Sequence, residues 1–161
     1  MSAYFSDCGN YRYRLSRTLE GSDGPLLLIG LNPSTADATH NDPTIRRCIG
    51  FGRTWGHNEL VVANLFSFRA TKPKVLKATP MPIGPETNAL LLREAQRASR
   101  ILVAWGMHGG FMQRDQAVLE LLSDFPLYCL GKTKSGFPRH PLYIRADAQP
   151  VPYSAKCAKQ D

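Results

Sequence analysis

No stretch of this sequence approaches the roughly 18–20 consecutive apolar residues of a membrane-crossing helix. The N-terminus, Met1-Ser2-Ala3-Tyr4-Phe5-Ser6-Asp7, lacks the basic-then-apolar order of a secretory signal. Cysteine is sparse: four residues (Cys8, Cys48, Cys129, Cys157) are scattered with no C-x-x-C pair. That usage favours neither a zinc knuckle nor a disulfide scaffold and reads as reduced thiols in a cytoplasmic protein. Also missing are a G-x-x-x-x-G-K-S/T loop, a G-x-G-x-x-G turn and a G-x-S-x-G elbow. The four histidines (His40, His57, His108, His140) show no metal spacing. No cofactor and no metal are expected. Acid is the scarcer charge, with 13 Asp and Glu against 20 Lys and Arg, a net +7. The excess points to an anionic partner: nucleic acid, nucleotide or another phosphate compound. Nothing in the pattern speaks to oligomeric state.

What is present is enough for a core. A chain of 161 residues, 43% hydrophobic and 20% charged, is read as one globular domain, 1–161, that needs no disulfides. The organising stretch is Leu26-Leu27-Leu28-Ile29-Gly30-Leu31-Asn32-Pro33-Ser34-Thr35. Four bulky apolar residues in a row read as a strand buried on both faces, as in a parallel sheet. It stops at Gly30, because Asn32-Pro33 cannot continue a central ladder and Ser34-Thr35 suit turns and caps. Such strand ends are where open α/β sheets place ligands.

Residues 11–19 alternate apolar with basic or polar side chains, a half-buried strand, expected antiparallel and at an edge. Asp42-Pro43 opens a helix as N-cap and first residue; Ile45, Cys48, Ile49, Gly52 and Trp55 share a face, and Gly56 closes it. Leu60 to Phe66 reads as a second buried strand, and Lys72 to Gly84 as a long irregular loop. Pro85 opens a helix carrying Ala89, Leu90, Leu92, Ala95 and Ala98. Arg100 to Ala104 is a third strand, followed by the turn Trp105–Gly110, a helix from about Phe111 to Ser123, and a fourth strand, Leu127 to Leu130. A last loop runs from Gly131 to Tyr143, and the tail from about 150 is expected to be poorly ordered. The alternation predicts an α/β protein: a three-layer α/β/α sandwich with a four-stranded parallel sheet and right-handed crossovers. All four post-strand loops then emerge at one carboxyl edge, bringing Asn32, Arg69, His108 and His140 together by topology.

The order of the motifs resembles that of the uracil-DNA glycosylase superfamily. Gly30-Leu31-Asn32-Pro33 is similar to its G-x-N-P turn, Val61-Val62-Ala63-Asn64 to its base-reading strand, Ala104-Trp105-Gly106 to its L-W-G, and Arg139-His140-Pro141-Leu142-Tyr143 to its H-P-S loop. Leu142 stands where that loop has serine, and Ser34 where the mismatch branch has glycine. The whole chain also looks like a family of short bacterial and phage proteins known as a domain of unknown function. The glycosylase resemblance implies hydrolysis of the N-glycosidic bond of a nucleobase in DNA or in a nucleotide. Asn32 and His140 would be catalytic, the first orienting a water and the second donating to the base oxygen that becomes negative. Gly30, Leu31, Pro33, Ser34, Arg69 and His108 would shape the substrate site, Asn64 would read the base edge, and Phe51 or Phe66 would stack on the extracted base. Lys132, Lys134, Arg139 and Arg145 would hold phosphates.

Plainer readings stand beside these. Asn32 ties its own turn, Asn64 satisfies buried backbone, Trp105 is core, and His108 is an exposed loop residue. A non-catalytic nucleic-acid or nucleotide module on the same fold is the rival function. An enzyme for another phosphorylated small molecule is a third, and a nucleophile at Ser34 or Cys129 would be a different mechanism.

Overall fold

A computed structural model describes residues 1–154. Seven strands, Ser2–Phe5 (β1), Arg12–Thr18 (β2), Leu26–Gly30 (β3), Glu59–Asn64 (β4), Arg100–Val103 (β5), Leu127–Cys129 (β6) and Val151–Pro152 (β7), join four α-helices, Pro43–Thr54 (α1), Pro73–Ala78 (α2), Thr87–Arg97 (α3) and Arg114–Leu121 (α4). The strands form one sheet in the order β1-β2-β4-β3-β5-β6-β7. β3 pairs in parallel with β4 and β5, and β5 with β6, whereas β1–β2, β2–β4 and β6–β7 are antiparallel.

The expected four-stranded parallel sheet is thus corrected to a seven-stranded mixed one, whose parallel strands are the centre and whose edges carry antiparallel strands. The strand at 11–19 lies inside the sheet, with β1 beyond it. The tail is corrected at 150–154, since β7 pairs with β6 and Tyr153 packs edge-on to Trp105 at 6.3 Å between ring centroids. β1 and β7 are too short to carry a periodic signal. The remaining tail, with Cys157, lies outside the described residues.

The period of two in a strand divides the apolar residues between two cores. Leu27, Ile29, Val61 and Ala63 pack with Leu76 of α2, Leu90 and Leu91 of α3 and Val118 of α4. Leu26, Leu28, Leu60 and Val62 pack on the other face with Ile45, Cys48 and Phe51 of α1. Among the described residues no helix is long and apolar enough to cross a membrane.

Local chemistry accounts for most boundaries. The Asp42 carboxylate accepts the Ile45 N–H at 2.8 Å, and Pro43, which has no N–H to lose, starts α1. Gly56, at φ +83°, ends it in the left-handed conformation. The loop read at Lys72–Gly84 contains α2, anchored by buried Leu76. The helix read from Phe111 is instead a 3₁₀ segment, Met107–Gln113, broken from α4 at Met112 and Gln113, whose φ values are 56° and 53°.

One irregularity matters for the site. In the β1–β2 ladder Tyr4 pairs with Arg14 but Phe5 pairs with Arg12, so Tyr13 is an extra residue, a β-bulge. Regular alternation would put Arg12 on the face of Arg14, whose guanidinium pairs with Glu94 of α3. The bulge turns Arg12 to the opposite face, where its Nη1 donates to the Ala36 carbonyl at 3.0 Å.

Candidate functional site

From β3 the chain passes through α1 to β4 on one side, then through α3 to β5 on the other. β3 is therefore the switch point, beyond whose carboxyl end such sheets hold a crevice. A cavity of about 500 Å³ lies there, within the size range of small-molecule sites. Its wall comes from β3 and β4, Arg12, the turn after β3, the start of α1, and residues within the segments 70–73, 104–108 and 140–143. Met107 and Tyr143 give it a well-exposed apolar rim.

Asn64, the last residue of β4, is only 4% exposed. Its Nδ2 is buried without a partner, and its Oδ1 accepts no hydrogen bond among the described residues. Gly30 makes room for this amide: a Cβ there would sit 2.8 Å from Asn64 Oδ1. A buried amide N–H left without an acceptor costs stability unless a ligand completes it.

Asn32 is held differently. Its Nδ2 donates to the carbonyls of Ala70 at 2.8 Å and Pro33 at 3.0 Å, tying its turn to the loop after β4. Those bonds fix the amide so that Oδ1, without a protein donor among the described residues, is the end left over on the cavity wall.

His140 is placed by the last loop, which Gly106 anchors by donating its N–H to the Pro138 carbonyl at 2.9 Å. The left-handed φ of Gly106, +74°, lets the two loops meet. His140 Nδ1 accepts the Leu142 N–H at 3.2 Å, so the neutral ring carries its proton on Nε2. Burial pushes this imidazole below its ordinary 6.5, against the pull of the Asp42 charge. His108 is similar, with Lys77 Nζ 3.2 Å from its Nδ1. Burial, then the Lys77 charge, lowers its pKa too. Both rings offer an Nε2–H donor at neutral pH.

Four contributors escape a sequence reading. Arg12 is 2% exposed and lines the cavity, yet no carboxylate lies within 4.0 Å of it among the described residues. Its Nε is buried and unpaired, and Nη2 makes no hydrogen bond to the described residues. Burial drives its pKa down to about 10, opposed by Asp42 and reinforced by Arg69 and Arg17. Asp42, besides capping α1, is the one carboxylate on the wall among the described residues. Trp105 Nε1 is buried without a partner, and Gly109 is required beside it, because a Cβ there would fall 2.1 Å from Trp105 Cδ1. Lys77 orients His108. Of these, Asp42 reads from sequence as a cap and Trp105 as core, while Arg12 is hidden by the bulge.

Of the remaining sequence candidates, Gly30, Leu31 and Ser34 join Asn32, Asn64, His108 and His140 on the wall. The others do not. Pro33 is buried behind the turn. Phe51 is fully buried and stacks on Trp55 at 5.2 Å, and Phe66 is fully buried against Phe111 at 5.7 Å. Neither lines this cavity: Phe51 is on the buried face of α1, and Phe66, two residues beyond the end of β4, is in the core. Arg69 lies off the wall, over the Phe5 ring at 4.9 Å. The basic residues of the last loop fold back on their own chain: Lys132 on Tyr153 and the Ser154 carbonyl, Arg139 on the Tyr143 carbonyl, Arg145 on Asp147, while Lys134 is exposed. None of the four lines the cavity. Cys129 is buried in the core, where its thiol pKa is raised by desolvation, and Ser34 hydrogen-bonds no histidine among the described residues.

Fold and site together define an α/β protein with a largely apolar cavity at the switch point of its sheet, into whose wall the unpaired donors of Arg12, Asn64 and Trp105 are set. The chain belongs to the family described as protein of unknown function (DUF1643), whose model matches residues 12–142. The match opens at Arg12 and takes in every residue of the cavity wall except Tyr143. No curated protein and no solved structure matches the chain.

Proposed function

We propose that the cavity receives a nucleobase and that the chain hydrolyses its N-glycosidic bond, in the manner of the uracil-DNA glycosylases. The observation that carries this reading is Asn64 on the cavity wall, whose buried Nδ2 has no partner among the described residues. It shares one cavity with a fixed Asn32 Oδ1 and a neutral His140 Nε2–H. A pyrimidine or purine edge offers the alternating donors and acceptors that such an amide completes.

In this mechanism water held by Asn32 Oδ1 adds to the anomeric carbon, and the proton it then sheds passes through solvent to the departing base. The bond to the base breaks with its electron pair on the base nitrogen. The charge spreads to a base oxygen, where His140 Nε2–H meets it. An amide positions water without deprotonating it, so turnover is slow. Asp42 supplies the negative charge on the wall that favours the cationic sugar.

The test is release of free base, followed by chromatography, from nucleotides and from oligonucleotides bearing uracil, hypoxanthine or mismatches. Release is expected from at least one. His140→Ala and Asn32→Ala should each lower kcat by about 10²–10³-fold, as for loss of one preorganised donor, with a smaller effect on binding. Binding without release from any substrate would leave a nucleotide-binding module. Undiminished release in both variants would mean other residues do the chemistry.

A further inference from the structure

The positive charge of Arg12 on the cavity wall has no role in the mechanism above. Arg12 is nearly inaccessible, lines the cavity, and uses one guanidinium nitrogen on the Ala36 carbonyl while Nε and Nη2 go unpaired among the described residues. A structural arginine looks different in the same molecule. Buried Arg17 gives its guanidinium to Asn41 and to the carbonyls of Ser16, Asp37 and His40, and buried Arg114 is bonded to the Leu65 carbonyl and Asn88. Asp42 on the same wall is the opposing charge to Arg12 but makes no salt bridge with it, and a desolvated cation left so lightly compensated is unfavourable unless an anion completes it. A bulge is needed to point it there.

Position sets the ligand's shape. Arg12 lies on β2, and His140 packs beside Gly106 just past β5, so their backbones stand about three strand spacings apart across β4 and β3, about 14 Å at the usual strand separation. Asn64 and Gly30 lie between. The ligand that touches everything is elongated, with an oxyanion at one end and a hydrogen-bonding ring at the other.

We infer that Arg12 is a phosphate-binding residue and that the substrate is a free nucleoside monophosphate rather than a base within a DNA chain. A phosphodiester backbone continues in both directions and cannot bury itself against a side chain only 2% exposed, whereas a terminal phosphate can. That the ring end is a nucleobase rests on the proposed function. The phosphate contact at Arg12 does not.

The experiment is calorimetric titration of the full chain with nucleoside 5′-monophosphates, the matching nucleosides, inorganic phosphate and a short single-stranded oligonucleotide. Monophosphates are expected to bind at least tenfold more tightly than nucleosides. Arg12→Gln should erase that difference, and Arg12→Lys, which keeps the charge but not the fork, should retain part of it. Should Arg12→Gln not fold, competition in the unmodified protein decides: inorganic phosphate must displace the monophosphate and leave nucleoside binding untouched. Equal affinity for nucleoside and monophosphate, a preference surviving in folded Arg12→Gln, or an oligonucleotide binding more tightly than any monophosphate would each overturn the inference. Monophosphates bound through Arg12 with no base ever released would end the glycosidic reading and leave this site standing. Base release from oligonucleotides with no preference for monophosphates would do the reverse.

Discussion

Replacing Asn64 with leucine should make this protein more stable and useless as a receptor. Asn64 is 4% exposed, its Nδ2 is buried without a partner, and its amide lies over the Cα of Gly30, where a Cβ would come within 2.8 Å of Oδ1. A buried donor left unpaired costs about 1–3 kcal/mol. Leucine has nearly the same size and branching, removes that cost, and brings no new polar atom. The gain is set at about 1–3 kcal/mol, since the cavity beside it limits how much extra apolar contact the methyls find. For a chain of this length each kcal/mol raises Tm by about 2–4 °C. The assay is urea unfolding followed by circular dichroism, with the midpoint expected to rise at unchanged slope. Asn64→Ala is the control and should be close to neutral, because it removes the same unpaired amide but only enlarges an existing void. Both variants should lose affinity for any nucleobase compound. A fall in stability of 1 kcal/mol or more in Asn64→Leu would refute the reasoning, since it would mean that the amide is satisfied within the fold.

Two further outcomes follow from the electrostatics. His140 titrates below its ordinary 6.5 in the folded chain, so the unfolded chain holds more protons in that range. Stability should therefore fall as pH drops from about 7 through 6.5 and on to the folded pKa, by less in His140→Asn, as urea midpoints at pH 5 and 7.5 will show. Glu94, 4% exposed, is bonded by Arg14 and by Arg97 at 2.6 Å. Burial raises its pKa, but those bonds outweigh it and leave it lowered. Its contribution is complete above the usual carboxylate range and is lost as pH falls through the lowered folded value. Glu94→Ala should cost about 3 kcal/mol in urea unfolding at neutral pH.

The centre of the fold was legible because it rests on strong local signals. Four successive apolar residues before Gly30 mark a doubly buried strand, and Asp42-Pro43 marks a helix start. Strand–helix alternation then brings Asn32, Asn64, His108 and His140 to one edge without reference to any side chain. What stayed hidden has equally physical reasons. The alternation Tyr11-Arg12-Tyr13-Arg14 assigns both arginines to one face, and no residue type there announces the bulge that separates them. An aromatic residue after a buried strand or on an amphipathic helix has the same pattern whether it meets a ligand or the core, and Phe66 and Phe51 meet the core. Lysines and arginines in the last loop reveal charge but not direction, and three of those four bond to their own chain.

The position of β2 also bears on the order in which the molecule is made. Its partner in the sheet interior, β4, pairs Glu59 with Thr18, about forty residues further along the chain. On a ribosome adding about 5–20 residues each second, β2 emerges several seconds before its neighbour exists. Until then it can pair only with β1, and an isolated two-stranded ribbon is marginal in water. The wall that carries Arg12 must therefore close late, after the later-synthesised strand has appeared. Truncated nascent chains ending before β4 should hold the N-terminal segment open to protease, and those extending beyond it should protect it.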